Sequence, residues 1–207
     1  MADTDKIYLY RMTHIGNVPH ILSQGITHWS SPCRNTGYIP IGDNSVIGIR
    51  NSFIISGDKN LGSYIPFYFG PRMPMLYVIQ NGFNNVSPVR PEDIVYCIIT
   101  ISAVMKHELD FIFTNGHAVD HLSDFFSQKD VFEIRSIVDF KAVREQYWND
   151  ENDLDLKRRK EAEFLIAGDI PVSAIAGFVV YNAAAQDKLL QLGVSEKQVA
   201  IRNTFYF

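Results

Sequence analysis

The run IVYCIITISAV, residues 94–104, most constrains what this chain can fold into, because it is the clearest β-strand in the sequence. Its β-branched residues favour the extended backbone of a sheet. Further short strands are predicted at KIYLYRMTH near the start and at EFLI, AIAGFVVY and QVAIRNTFYF in the second half. Short helices are predicted at QDKLLQLG and at NVPHILSQGI, the latter with Asn17 as N-cap and Gly25 at its end. This arrangement predicts an α+β fold, a single domain over residues 1–207, with a mixed or split sheet.

Three other segments are assigned from their turn residues and charge. DFIFTNGHAVDHLSDFF is predicted as a short strand, a turn at Asn115-Gly116 and then a helix, and residues 139–162 as a charged helical region. Residues 28–45 contain two prolines, two glycines and several Ser or Asn, which is typical of a long loop. Residues 46–55 alternate only weakly between apolar and small side chains, so no element is assigned there.

The composition sets limits on partners and location. The 207 residues carry a net charge of −4, so an anionic partner must be met by a local basic patch. The two cysteines, Cys33 and Cys97, form neither a disulfide framework nor a cysteine-rich metal pattern. The N-terminus MADTDK is polar, and no apolar run approaches the roughly 20 residues that span a membrane. We therefore expect a cytoplasmic protein that does not enter a membrane.

The sequence contains neither a GxGxxG nor a GxxxxGK[ST] phosphate-binding motif, so the familiar nucleotide-binding folds are not predicted. His117 and His121 in GHAVDH have the i, i+4 spacing of a metal pair on a helix, with His14 or His20 as a possible third ligand. Solvent-facing and packing histidines are the more frequent outcome of such a pair, and nothing fixes the third ligand. No metal site is therefore predicted.

Two segments carry the candidate chemistry. In KRRKEAEFLI, four basic residues precede a strand in which Phe164 and Ile166 lie on one face and Glu163 and Leu165 on the other. A carboxylate at the mouth of that strand could lie in a cleft, although a charged helix end followed by a strand explains the same pattern. In PFYFGPRMPMLY, residues 66–77, three aromatic residues beside an arginine and methionines suit a planar ligand, and a packed strand leading to a proline turn suits them equally.

Four blocks in order, LYRMTHIGNVPHIL, YIPFYFGPRMPMLYVI, FIFTNGHAVDHL and EAEFLI, resemble the DarT family of bacterial DNA ADP-ribosyltransferase toxins over nearly the whole chain. The PFYFxPRxPMLY and AEFLI blocks are specific. The resemblance implies an ADP-ribosyltransferase fold, in which a split mixed sheet with flanking helices surrounds an NAD⁺ cleft. It also implies transfer of ADP-ribose from NAD⁺ to a base in single-stranded DNA, without a metal. The implied partner is a DarG-like macrodomain antitoxin, and the expected state is a monomer.

The resemblance also implies roles for individual residues. The catalytic residues would be Glu163, in AEFLI, and Arg50, in IGIRNSF. Residues expected to bind NAD⁺ are Arg11, His14, Asn17, Tyr68, Met75 and His117. Residues expected to bind DNA, in a local basic groove, are Arg72, Lys157, Arg158, Arg159 and Lys160.

One departure from the family pattern bears on the target base. Thymidine-modifying members read YHITH where this chain reads YRMTH, so Arg11 replaces a histidine that holds NAD⁺. The family also has a guanosine-modifying branch, and the departure slightly favours guanine over thymine. The alternatives are NAD⁺-dependent transfer to RNA or protein, 2′-phosphotransfer on RNA in a similar fold, a non-catalytic nucleic-acid-binding module, and a hydrolase with His117 and His121 on a metal.

Overall fold

The computed structural model describes residues 6–57 and 59–207. Its helices are α1 (Val18–Gln24), α2 (Asn44–Ser52), α3 (Pro74–Asn81), α4 (Ile101–Lys106), α5 (Ile134–Ile137), α6 (Phe140–Arg144), α7 (Leu156–Lys160) and α8 (Ala183–Gln191). Its strands are β1 (Tyr8–His14), β2 (Ile54–Ser56), β3 (Lys59–Asn60), β4 (Tyr64–Tyr68), β5 (Ile94–Thr100), β6 (Phe111–Thr114), β7 (Phe125–Ser127), β8 (Glu163–Ala167), β9 (Gly177–Val180) and β10 (Val199–Ile201). β2 and β3 pair with each other, and the other strands form one sheet in the order β10-β9-β5-β1-β4-β8-β6-β7.

This sheet is mixed, and it splits near its middle. β9 and β10 are parallel, whereas the remaining neighbours are antiparallel. β1 pairs with β5 along its full length from Tyr8 to His14, but it pairs with β4 only where Tyr10 lies opposite Tyr68. β1 and β4 therefore separate beyond that pair. The α+β class and the split mixed sheet predicted from the sequence are confirmed.

Two faces of the sheet bury different sets of side chains, as the period of two along a strand requires. One face contributes Leu9, Phe67 and Phe164 to the main hydrophobic core, which also receives apolar residues from α1, α4, α5 and α8. On the other face, Tyr96 and Ile98 pack under α3, and Leu165 packs with Tyr64 in a smaller cluster. The predicted alternation in β8 is therefore correct, and it turns Glu163 away from the main core.

Several predicted elements are confirmed. The strands predicted at KIYLYRMTH, EFLI and AIAGFVVY correspond to β1, β8 and β9, whereas the run IVYCIITISAV forms strand β5 only as far as Thr100, after which α4 begins. The first predicted helix is α1, which begins after Asn17 and ends at Gly25. Gly25 has a φ of 80°, and a Cβ there would lie 2.0 Å from the carbonyl oxygen of Ile170, so this helix end requires glycine.

Four predictions fail or are incomplete, each for a local reason. No helix follows His117, because residues 117–123 form successive turns that lead into β7. Residues 139–162 are not continuously helical, since a loop separates α6 from α7. The segment after Tyr68 becomes helix α3, with Pro74 in its first turn, where proline loses no helical hydrogen bond. Unassigned residues 46–55 lie mostly in α2, which shows little apolar periodicity because nearly all of its side chains are exposed.

Within residues 6–57 and 59–207, no helix combines the length and the apolar character needed to cross a bilayer.

Candidate active site

Glu163 is the first residue of β8, and its carboxylate is held on both oxygens. The side chain is only 1% exposed. Oε2 accepts a hydrogen bond from Arg50 Nη1 at 2.8 Å, and Oε1 accepts one from the backbone N–H of Ala118 at 3.0 Å. An ionised carboxylate can accept about four hydrogen bonds, so each oxygen retains capacity toward a ligand. The site therefore presents a fixed negative charge on the face of the sheet away from the main core.

Arg50 reaches this carboxylate from α2. Asp43 caps that helix by accepting a hydrogen bond from the backbone N–H of Ser45 at 2.8 Å. Val46 and Arg50 are one helical turn apart and are the partly buried residues of α2, whereas Ile47 and Ile49 are about half exposed. Nη2 of Arg50 is buried and has no hydrogen-bond partner among the described residues. A buried donor without a partner is costly, and a bound ligand could supply the missing acceptor.

Tyr68, the last residue of β4, completes the centre of the site. It lies opposite Glu163 across the β4–β8 pair and opposite Tyr10 across the β1–β4 pair. Burial raises the pKa of Tyr68 well above its ordinary value, and the negative charges of Glu163 and Glu161 raise it further. Tyr68 therefore stays a neutral phenol at physiological pH, able to donate a hydrogen bond or offer an aromatic face. Met75 of α3 is partly buried against the cluster that contains Tyr96 and Ile98.

Arg11 lies where the sheet splits. It pairs with Cys97 in β5, and its Nη1 donates to the carbonyl oxygen of Pro66 in β4 at 3.0 Å. This bond spans the gap that opens beyond the Tyr10–Tyr68 pair. Arg11 also lines a narrow cavity together with Thr13, Asn17, His20, Ile21, Gly25, Ile26, Thr27, Asn35, Tyr38 and Cys97.

Asn17 and His14 lie at the end of β1, but their side chains bond to their own chain. Asn17 is 1% exposed; its Oδ1 accepts from the Ile39 N–H at 2.8 Å, and its Nδ2 donates to the Ile39 carbonyl at 2.9 Å. Nδ2 also donates to Thr13 Oγ1 at 2.9 Å. Nδ1 of His14 accepts from the Gly16 N–H at 3.0 Å. Through these contacts the amide of Asn17 fixes the loop before α2, and its expected role in binding NAD⁺ stays a prediction.

His117 lies in the turn after β6. Its backbone N–H donates to the carbonyl oxygen of Arg158 at 2.8 Å, and the next residue, Ala118, contacts the carboxylate of Glu163. Four residues later, His121 is exposed and lies near the ring of Phe53, with the ring centroids 6.5 Å apart. Because no helix connects them, the two histidines do not lie on one helical face as an i, i+4 metal pair would. Among residues 6–57 and 59–207 no group of three or more His, Cys, Asp or Glu is arranged to hold a metal.

The basic run of α7, in the expected DNA groove, is held in intramolecular contacts, and its role in binding DNA stays a prediction. Lys157 pairs with Glu161 at 2.7 Å and remains about half exposed. Arg158 pairs with Asp155 at 2.7 Å and also donates to Ser123 Oγ at 3.2 Å. Arg159 forms ion pairs with Asp139, Asp153 and Asp155. The acidic residues before α7 therefore neutralise much of the charge that the sequence pattern offered to DNA.

Lys160 and Arg72 are also structural. The side chain of Lys160 is 1% exposed, and its Nζ donates to the carbonyl oxygens of Val143 at 3.1 Å and Glu145 at 2.7 Å. Arg72 Nη1 donates to the carbonyl oxygen of Tyr206 at 2.8 Å, and its guanidinium lies 4.3 Å from the centre of the Phe207 ring. Both side chains are thus held by contacts within the chain, and their expected role in binding DNA stays a prediction.

Sequence reasoning missed two groups that hold Glu163, one at its carboxylate and one at its backbone. The backbone N–H of Ala118 has no residue-type signal, because any residue except proline could supply it. The hydroxyl of Thr114 accepts a hydrogen bond from the backbone N–H of Glu163 at 3.0 Å. Thr114 lies in the quoted block FIFTNGHAVDHL, so its position could have been found but its contact could not.

The chain is similar to several known proteins. A family model described as "ssDNA thymidine ADP-ribosyltransferase, DarT" matches residues 10–207. The solved structure "Thermus sp. 2.9 DarT in complex with ADP-ribosylated ssDNA" superposes with a TM-score of 0.83 at 28% identity, and the match covers 100% of this chain and 99% of that chain. The structure of Thermus sp. 2.9 DarT in complex with NAD⁺ superposes with a TM-score of 0.77 at 28% identity, covering 97% of this chain and 98% of that one.

A third relative is longer than this chain. A protein of Thermosipho africanus named as a fusion of a DNA ADP-ribosyl transferase and a DNA ADP-ribosyl glycohydrolase is 29% identical over 159 residues. The match covers 76% of this chain but only 38% of the fusion protein. The similarity therefore concerns one part of that protein.

Proposed function

Because the chain belongs to the DarT family of DNA ADP-ribosyltransferases, we propose that it transfers ADP-ribose from NAD⁺ to a base of single-stranded DNA and releases nicotinamide. The observation that carries this proposal is the buried contact between Arg50 and Glu163 at 2.8 Å beside the split of the sheet. The two residues come from distant parts of the chain, and both are the ones that the resemblance names as catalytic. A nucleobase inside a duplex is stacked, which explains why a single strand is the expected substrate.

The site has features that suit NAD⁺. Nη2 of Arg50 is a buried donor without a partner in the described chain, and a phosphate or hydroxyl oxygen would satisfy it. Arg11 adds a second guanidinium at the gap between β1 and β4. Tyr68 offers a neutral aromatic ring beside the carboxylate. NAD⁺ itself supplies a cationic nicotinamide, a good leaving group, on the ribose carbon that receives the base.

Glu163 performs two tasks in this proposal. Its charge, fixed by Arg50 and the Ala118 N–H, lies ready to stabilise positive charge at the ribose, and a preorganised charge of this kind accelerates reactions by about 10²–10³-fold. The remaining acceptor capacity of its oxygens can hold a ribose hydroxyl or take the proton from the attacking base nitrogen. Arg50 holds the carboxylate in orientation through Nη1, and Nη2 remains for the ligand.

The target base is a choice between two alternatives. The matched family model is described by thymidine, which supports thymine. Arg11 in place of the histidine of thymidine-modifying members supports guanine. The hydrogen bond from Arg11 to the Pro66 carbonyl ties this side chain to the sheet, so it gives guanine no additional support.

We extend the proposal to the biological setting. The fusion of a transferase to a DNA ADP-ribosyl glycohydrolase in Thermosipho africanus supports a toxin whose modification is reversed by a DarG-like macrodomain antitoxin. Because one sheet includes both β1 and β10, near the two ends of the described chain, we propose a single domain over residues 1–207. We also propose that it acts as a monomer. We place it in the cytoplasm, since its proposed DNA substrate lies there.

The test is transfer of labelled ADP-ribose from NAD⁺ to short single-stranded oligonucleotides. One set contains thymine without guanine, and the other contains guanine without thymine. Glu163→Gln keeps the shape of the side chain but removes its charge, and should lower transfer by about 100-fold or more. Glu133→Gln removes an exposed carboxylate and serves as the matched control, with transfer at the wild-type level.

Each result has a distinct meaning. Label on one oligonucleotide set only, lost in Glu163→Gln and kept in Glu133→Gln, supports the reaction and names the base. Consumption of NAD⁺ without label on either set moves the acceptor to RNA or protein. If the wild-type protein does not consume NAD⁺ at all, the proposed reaction is wrong.

A further inference from the structure

We propose that Thr114 is a positioning residue whose hydroxyl holds Glu163 in its working orientation, an inference that rests on the proposed function above. Thr114 is the last residue of β6 and is completely buried. Its hydroxyl contacts both the backbone of Glu163 and the turn that supplies a donor to the Glu163 side chain.

The register of the sheet explains why a side chain is needed at this point. β6 and β8 pair at Phe111–Ile166, Ile112–Leu165 and Phe113–Phe164, and the ladder ends there. The next backbone N–H along β8 belongs to Glu163, and it donates to the Thr114 hydroxyl oxygen at 3.0 Å. The hydroxyl thus takes the place of a backbone carbonyl where the strands end, and it fixes the main chain of Glu163.

The same hydroxyl also sets the geometry of the following turn. Its single proton is donated to the carbonyl oxygen of Gly116 at 2.6 Å, which leaves its lone pair for the Glu163 N–H. Two residues further, the Ala118 N–H points at Glu163 Oε1 at 3.0 Å. One oxygen atom therefore joins the backbone of the catalytic residue to the turn that contacts its carboxylate.

The turn is held closely from its other side. The His117 N–H donates to the Arg158 carbonyl at 2.8 Å, and the Arg158 guanidinium donates to Ser123 Oγ at 3.2 Å. A Cβ at Gly116 would lie 2.3 Å from Arg158 Nη1 and 2.7 Å from Ser123 Oγ. With so little free space, the turn keeps its position as long as the Thr114 bond is present. Loss of that bond leaves a buried N–H and a buried carbonyl without partners, and these must move to find others.

The inference is tested by removing the hydroxyl while keeping the shape of the side chain. Thr114→Val replaces the oxygen with a methyl group, and Thr114→Ser keeps the oxygen and removes the methyl group. Because small misplacements of a catalytic group are costly, kcat for NAD⁺-dependent transfer to single-stranded DNA should fall by about 10- to 100-fold in Thr114→Val. KM for NAD⁺ should change by less than about threefold, and Thr114→Ser should keep kcat within about threefold of wild type.

Further measurements separate positioning from loss of folded protein. The stoichiometry of NAD⁺ binding, measured by calorimetry, reports the fraction of competent molecules and should stay at the wild-type value in Thr114→Val. A stoichiometry that falls in parallel with kcat overturns the positioning role. If Thr114→Val does not fold, the comparison is made between Thr114→Ala and Thr114→Ser, where the expected difference in kcat is the same.

The proposed function and the role of Thr114 are contradicted by different results. A wild-type protein that transfers nothing to DNA contradicts the proposed function. A wild-type protein that transfers ADP-ribose, together with a Thr114→Val variant of equal kcat, contradicts the role of Thr114 alone. A Thr114→Ser variant as slow as Thr114→Val also overturns it, because the methyl group and not the hydroxyl would then be responsible.

Discussion

The buried amine of Lys160 should make the stability of this protein rise with pH in the alkaline range. Burial, together with the nearby charge of Arg72, lowers the pKa of Lys160 from an ordinary value of 10.5 to about 8. Between these two values the unfolded chain holds a proton on Lys160 that the folded chain has lost. Stability linked to this group is therefore fully present above pH 10.5 and is lost as the pH falls through about 8.

The size of the effect follows from the two pKa values and from the surroundings of the amine. A difference of about 2.5 in pKa corresponds to about 3 kcal/mol. The Val143 and Glu145 carbonyls that accept from Nζ lie at the end of α6, and Glu145 itself is exposed, so solvent screens part of the charge. We therefore expect about 1–2 kcal/mol between pH 7 and 10, as a difference between the wild type and a variant without the amine.

The variant is Lys160→Met, which keeps an unbranched side chain and a good helix former. Urea unfolding at constant ionic strength gives the free energy of unfolding at each pH. The wild-type value minus the Lys160→Met value should increase as the pH is raised. Lys157→Met is the matched control, since Lys157 belongs to the same helix but is half exposed, and its difference should not change with pH. A constant difference for Lys160→Met, or an equal rise for Lys157→Met, would refute the reasoning.

Two other expected structural roles can be checked in the same way. Asn17→Ala removes the paired hydrogen bonds to Ile39 and should lower the free energy of unfolding by about 2–3 kcal/mol in urea titrations. A raised KM for NAD⁺ at unchanged stability would instead show that Asn17 binds the ligand. Arg72→Met removes the contacts to Tyr206 and Phe207 and should cost about 1–3 kcal/mol, with the affinity for a single-stranded oligonucleotide unchanged. Weaker oligonucleotide binding by a fully stable Arg72→Met protein would contradict this assignment.

The elements best predicted from the sequence are those whose residue types suit only one environment, such as the buried interior of a sheet. The β-branched run of β5 is buried on both faces, so its strand followed from composition alone. The alternation in β8 correctly placed Glu163 and Phe164 on opposite faces. These patterns depend on neighbours along the chain, which the sequence displays.

Features that depend on distant contacts were not predictable in the same way. Four consecutive basic residues are typical of an exposed patch, yet the helical turn directs Lys160 inward, and acidic residues of the preceding loop pair with Arg159. Helix α2 buries little of its surface and therefore lacks an apolar stripe. The residues of this segment gave no sign of the helix that carries Arg50. The hydrogen bond from Ala118 to Glu163 comes from the backbone and leaves no mark in the residue pattern.

The strand order also determines when the site can form as the chain is synthesised. β1 pairs with β5 and β4 pairs with β8, so the sheet joins segments that are far apart in the chain and that close slowly. Arg50 and Glu163 are 113 residues apart, and the ribosome makes Arg50 first. Until residues 163–167 have emerged, β4 lacks its β8 partner and Arg50 lacks its carboxylate. A nascent chain therefore remains without its catalytic ion pair until this late strand has closed the centre of the sheet.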